Sequence, residues 1–134
     1  MSMSYWIVKT EPSTYCWKDL EAKGEDIWDG VRNFQARNNL NQMKQGDFVL
    51  LYHSGAEKAV VGLAQVSQEA FPDPQDAAWV AVKLKAVRPM VNPLTLHQIQ
   101  AEPGLAGISL LKQARLSVHE ISEEAYTLIC KLSS

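Results

Sequence analysis

Residues 48–88 constrain the fold more than any other part of the chain, because they spell strand after strand with only short connections. Phe48-Val49-Leu50-Leu51-Tyr52-His53 is an apolar run of strand length. Ser54-Gly55-Ala56-Glu57 reads as a hairpin loop and Ala59 to Ser67 as the returning strand. Gly62 stands inside that strand, where a glycine marks a bulge or a close approach of backbone. Phe71-Pro72-Asp73-Pro74 is expected to be irregular, since each proline removes a donor and disfavours helix. From Trp79 to Arg88 the chain alternates. Val80, Val82, Leu84 and Ala86 point one way and Trp79, Ala81, Lys83 and Lys85 the other, which predicts a half-buried strand with a basic outer face.

The flanking segments add helices. Tyr5 to Thr10 is rich in β-branched and aromatic residues and reads as a first strand. A short helix is expected to open at Pro12-Ser13, with Ser13 or Thr14 as N-cap, and to run to about Leu20 before Lys23-Gly24. A second is expected over 33–43 with Phe34, Ala36, Leu40 and Met43 inward, followed by a turn at Gly46-Asp47. Thr95-Leu96-His97-Gln98 is a capping-box pattern, and Arg115 to Val118 a plausible short strand. Ser122 caps a last helix over 123–132, with Ala125, Leu128, Ile129 and Leu132 as its buried stripe. The order β-α-α-β-β-β-α-β-α predicts one α+β domain over 1–134. Its mostly antiparallel sheet is expected to curl toward a small barrel flanked by helices.

An apolar fraction of 46% and a mean hydropathy of -0.18 are those of a globular protein. No apolar run is long enough for a membrane helix, and the start at Met1-Ser2-Met3-Ser4 lacks the pattern of a signal peptide. Cys16 and Cys130 can pair, but two buried free thiols in a reducing cytoplasm are the expectation. No Cys/His spacing fits zinc, and neither metal nor cofactor is expected. A net charge of -2 argues against gripping long duplex DNA by counterion release alone. The charges are nevertheless segregated. Arg32, Arg37 and Lys44 lie in one acid-free stretch, Lys83, Lys85 and Arg88 in a second, and Lys112 and Arg115 in a third. That permits a basic face on an acidic protein.

Three segments hold side chains suited to a ligand. Trp28-Asp29-Gly30-Val31-Arg32-Asn33 combines an indole, a glycine that admits close approach, a planar guanidinium fork and an amide. Such a set stacks a flat ring and reads its polar edge, as single nucleobases are held. Lys9-Thr10-Glu11 ends the first strand with an ammonium, a hydroxyl and a carboxylate, and Tyr52-His53-Ser54 ends another with three hydrogen-bonding groups. Each segment also fits a plainer role: Trp28 as a core tryptophan, Glu11 at a helix N-terminus, His53 as a structural donor. Trp6 and Trp79 are better suited to the core than to a cage wall. A nucleophile elbow, a P-loop and a dinucleotide glycine pattern are all absent.

These motifs, with Tyr5 to Tyr15, Ala36-Arg37-Asn38, Met43-Lys44, Gly46-Asp47, Gly62-Leu63-Ala64, Phe71-Pro72-Asp73 and Arg115 to Val118, resemble the EVE domain family in order and over nearly the whole chain. The resemblance implies a PUA-like fold related to YTH domains. It also implies a non-catalytic reader of modified bases in DNA or RNA; the sequence leaves the oligomeric state open, with a monomer favoured. On that reading Lys9, Thr10, Glu11, Trp28, Gly30, Val31, Arg32, Asn33, Tyr52, His53, Ser54 and Asp73 bind the ligand. Arg37, Lys83, Lys85, Arg88 and Arg115 meet the nucleic-acid backbone. Two alternatives stay open: an amidohydrolase of the similar ASCH type using Lys9, Thr10 and Glu11, and a protein-interaction module.

Overall fold

The computed structural model describes residues 3–134; Met1 and Ser2, part of the segment read for a leader, lie outside them. The elements in order are β1 (Tyr5–Thr10), α1 (Trp17–Lys23), β2 (Glu25–Trp28), α2 (Phe34–Gln42), β3 (Phe48–His53), β4 (Ala59–Asp73) and β5 (Asp76–Thr95). They continue with α3 (Leu96–Ala101), a 3-10 turn (Pro103–Leu105), α4 (Ser109–Lys112), β6 (Val118–Ile121) and α5 (Glu123–Leu132).

One six-stranded sheet runs β2-β5-β4-β3-β1-β6. Its pairs are antiparallel except β1 with β3, which is parallel because α1, β2 and α2 intervene between them. The mixed α and β architecture with a mostly antiparallel sheet is as the sequence predicts. The closure is not: β2 and β6 remain edges, so the sheet is open rather than a barrel.

Strand periodicity of two gives each face its own core. Trp6 and Val8 of β1 join Leu20 of α1, and Ala36 and Leu40 of α2, on one face. Ile7, between them in sequence, joins Ile99 of α3, Leu110 of α4 and Ile129 of α5 on the other. Helices therefore cover both faces. Trp6, 1% exposed, donates its indole N–H to Asp47 Oδ2 at 3.0 Å, so that core tryptophan is satisfied.

Several boundaries differ from expectation for identifiable reasons. α1 is capped at Cys16 rather than at Ser13 or Thr14, because Asp19 accepts the N–H of Cys16 at 2.9 Å and fixes the cap there. β2 is a strand the sequence reading lacks; its residues Glu25-Asp26-Ile27-Trp28 carry no alternation. β4 continues through Phe71-Pro72-Asp73, with register shifts before Phe71 and between Pro72 and Asp73 that absorb the missing donor. β6 begins only at Val118, leaving Arg115 in the preceding turn. The capping box of α3 and the Ser122 cap of α5 are as expected, but Leu132, expected in the buried stripe of α5, is exposed at the end of that helix. Both thiols are free, as expected, and half-buried rather than buried.

Gly62 fulfils its reading. A side chain there would collide with the Trp17 ring, and the register of β4 shifts between Val60 and Gly62. Gly62→Ala is expected to force Trp17 aside and to destabilise the protein by about 1–3 kcal/mol, read by chemical denaturation. Among the described residues no helix is long and apolar enough to cross a membrane.

Candidate functional site

A cleft of about 780 Å³ opens where β1, the 11–16 turn, β2 and the 28–33 segment meet. Its volume falls in the range of roughly 300–1,000 Å³ typical of small-molecule sites. Lys9, Thr10, Trp28, Gly30, Val31 and Arg32 line it, so two of the three predicted segments converge. Tyr15, Asp26 and Asp29 line it too, and were not singled out from the sequence.

Trp28 is 8% exposed, packed in the core and turned to the cleft along part of its surface. Tyr15 meets it edge to face, with ring centroids 5.8 Å apart and planes at 85°. Two bonds fix Tyr15. Its phenol donates to Asp26 Oδ2 at 2.6 Å, and its carbonyl accepts the Thr10 hydroxyl at 2.7 Å. Burial and the Asp26 bond push the Tyr15 phenol well up, so it stays a neutral donor. Burial works to raise the Asp26 carboxyl, but Tyr15, Lys23 at 3.1 Å and the Ile27 N–H outweigh it and hold the group ionised.

The opposite wall hangs on Asp73. Its side chain is fully buried, and Oδ2 accepts the Gly30 N–H at 2.9 Å and Arg32 Nη1 at 2.9 Å. Oδ1 accepts the Gln75 N–H at 2.7 Å. Burial alone would raise this carboxyl; those three partners reverse the sign and place it below the usual value. Gly30 has φ +77°, a left-handed conformation that points its N–H at Asp73 and that other residues adopt with strain. Asp73 therefore shapes the wall from behind and does not line the cleft.

Lys9 stands at the far rim. Its ammonium bonds the Ala114 carbonyl, lies 5.9 Å from the Tyr52 ring centroid, and has no carboxylate partner among the described residues. Burial lowers its pKa. The cleft thus presents three cations (Lys9, Lys23, Arg32), two carboxylates (Asp26, Asp29), a phenol and the apolar surface of Ile27, Trp28 and Val31.

Other predicted residues lie elsewhere. Asn33 is the N-cap of α2, its side-chain oxygen accepting the Ala36 N–H at 2.9 Å. Asn33→Ala is expected to cost about 1 kcal/mol of stability, and Asn33→Asp to retain the cap; thermal melts of the two variants check this. Glu11 is exposed and bonds the Ser13 hydroxyl at 3.2 Å outside the cleft. The Lys-Thr-Glu set of the hydrolase alternative is therefore not gathered at one point. Tyr52 is 3% exposed in the core on the α5 face. His53 is buried, accepts the Trp17 N–H on Nε2 at 3.0 Å and faces Glu57 with Nδ1 at 2.6 Å, which fixes the tautomer and makes it a brace for α1. Ser54 donates its N–H to the Thr10 carbonyl.

The predicted backbone cations are dispersed. Lys83 reaches Glu25 at 3.7 Å, and Lys85 stands opposite Glu25 in the β2–β5 ladder. Arg88 approaches Met90, a member of the core on the α5 face. Arg115 is exposed, two residues from Ser117 of the cleft lining. Arg37 lies against Phe34 and Trp79. Phe34 is 65% exposed rather than core, because as first residue of α2 it sits above the sheet and stacks on Trp79 at its rim. Trp79 is accordingly half-buried and not a core residue.

The EVE domain family model matches residues 4–132. Mouse thymocyte nuclear protein 1 is 32% identical, over 96% of this chain and 73% of its own length. A Rhodopseudomonas palustris protein solved by NMR superposes with a TM-score of 0.93 at 42% identity, covering 98% of this chain and 93% of that one. The human THYN1 protein, crystallised in complex with 5-methylcytosine-containing DNA, superposes with a TM-score of 0.90 at 26% identity, covering 98% of each chain. With nearly every residue inside the match, the chain belongs to the EVE domain family.

Proposed function

We propose that the protein binds nucleic acid by seating one modified base, taken out of its stack, in the cleft beside Trp28. The observation that carries this reading is the composition of the cleft, where an aromatic surface stands among both donors and acceptors. A cytosine edge offers an amine and two acceptors. Asp26 and Asp29 accept from an amine, and Lys9 and Arg32 donate to ring acceptors. The apolar surface of Ile27 and Val31 takes a methyl group. The human relative's complex with 5-methylcytosine-containing DNA supports the same assignment.

Magnitudes set the expected selectivity. Stacking contributes about 1–3 kcal/mol whatever the base, so it gives affinity without choice. Burying one methyl contributes about 0.8 kcal/mol, a preference of about fourfold. The choice among bases rests on the edge contacts, where one buried group left unpaired costs about 1–3 kcal/mol. Among them Lys9, with no carboxylate to hold it, is the donor most available to a ligand. The protein's free thiols suit a reducing compartment such as the cytoplasm.

The test is a fluorescence-anisotropy titration with paired oligonucleotides, DNA and RNA, identical except for a 5-methylcytosine, at two salt concentrations. The modified strand is expected to bind at least a few-fold tighter, with a shallow salt slope because few cations surround the cleft. Equal affinity for modified and unmodified strands across bases would remove the reading. The same samples report on the hydrolase alternative: conversion of an acylated cytidine, lost in Lys9→Ala, would favour it.

A further inference from the structure

Outside the cleft the chain carries a second aromatic and cationic surface. Phe34 and Trp79 stack with centroids 5.2 Å apart and planes at 28°. The Arg37 guanidinium lies 4.9 Å from the Phe34 centroid and 5.5 Å from that of Trp79. Arg32 lies 5.7 Å from Trp79. Phe34 is 65% exposed, so its ring, stacked on Trp79, still presents a large apolar surface to solvent.

We propose that this platform binds the nucleotide next to the one seated in the cleft, its base stacking on Phe34 and its phosphate meeting Arg37. The inference rests on the reading of the cleft as a base site. Arg32 connects the two places: it lines the cleft and lies against Trp79. One guanidinium thus borders both aromatic surfaces. Charge favours a polyanion over an apolar protein partner. Arg37 has no carboxylate partner among the described residues and spends one N–H on the Ala78 carbonyl at 3.3 Å, which leaves its other donors without a protein partner and able to take an anion. Aromatic faces joined to cations are the arrangement by which single strands are held without sequence preference.

The experiment uses the full chain and two single-stranded probes, both carrying one 5-methylcytosine. In one the neighbouring nucleotides keep their bases; in the other they are abasic. The wild-type protein is expected to bind the intact strand about tenfold tighter than the abasic one. Phe34→Ala, at an exposed site that leaves the core untouched, is expected to lower affinity for the intact strand about tenfold and to leave the abasic strand unchanged. Trp28→Phe is expected to weaken both. Equal binding of the two strands by wild type, or a Phe34→Ala effect of equal size on both, would overturn the platform while leaving the cleft reading intact. Failure of wild type to distinguish modified from unmodified strands would overturn the cleft reading and this inference with it.

Discussion

Replacing Trp28 with alanine is expected to weaken binding of modified and unmodified strands alike, by about 5- to 150-fold, the equivalent of one lost stack. The same change removes a side chain 8% exposed from the core, which costs about 3–5 kcal/mol of stability. Both losses arise because one ring belongs to the fold and to the cleft at once. Trp28→Phe separates them. It keeps an aromatic surface and most of the packing, so the variant is expected to stay folded, to retain part of the affinity, and to lose the contact with Tyr15 that depends on the larger indole. Circular dichroism melts beside the binding titration check the pair. A folded Trp28→Phe variant with unchanged affinity would mean that the ring is structural only.

The second large effect concerns Asp73. Asp73→Ala is expected to destabilise the protein by about 2–3 kcal/mol, since it strands the Gly30 and Gln75 N–H groups and leaves Arg32 without its counterion. The figure lies below that for a fully buried pair because Arg32 is itself 37% exposed. Losing this anchor also frees residues 30–32, so binding falls although Asp73 does not line the cleft. The pH dependence has a definite sign. The folded carboxyl lies below its unfolded value, so its contribution is complete above about pH 4 and is lost as pH falls through the folded pKa. Urea denaturation across acid pH is expected to show wild type losing stability in that window more steeply than Asp73→Asn.

Much of this arrangement is legible in the sequence, and the parts that are not share a cause. Alternation at 79–88 and the apolar run at 48–53 identify β5 and β3 because local pattern and tertiary burial agree there. Ser122 and Thr95 mark helix starts by a bond made within three residues, which is local information. β2 escapes because its pairing with β5 is long-range and its two acids argue against a strand. The order of elements suggests a sheet curling toward a barrel, but edge pairing is decided by the whole sheet and no short motif encodes it.

The site divides the same way. Lys9, Thr10, Trp28, Gly30, Val31 and Arg32 line one cleft although β1 and β2 are separated in the sheet by β3, β4 and β5, so only the tertiary fold brings them together. Asn33 and His53 carry the chemistry of ligand groups and spend it on α2 and α1. Nothing in the sequence distinguishes an amide that caps a helix from one that reads a base. Tyr15 was within reach, as the aromatic closing the Pro12-Ser13-Thr14 turn, but its partner Asp26 is eleven residues on, across α1. Phe34 does not share the inward face of Ala36, Leu40 and Met43: it lies roughly 200° around the helix from Ala36 and stacks on Trp79 at the rim of the sheet.

The most direct test of the central claim is a two-dimensional amide NMR titration of the labelled protein with a 5-methylcytosine-containing oligonucleotide. The account predicts that shifts concentrate on Lys9, Thr10, Tyr15, Trp28, Gly30 and Arg32, with the Trp28 indole N–H among them, and extend to Phe34. Residues of the opposite face, such as Leu110, Ile99 and Ile129, are predicted to stay unmoved. Shifts centred on the α3 and α5 face, or spread thinly over the surface lysines with the cleft silent, would contradict it.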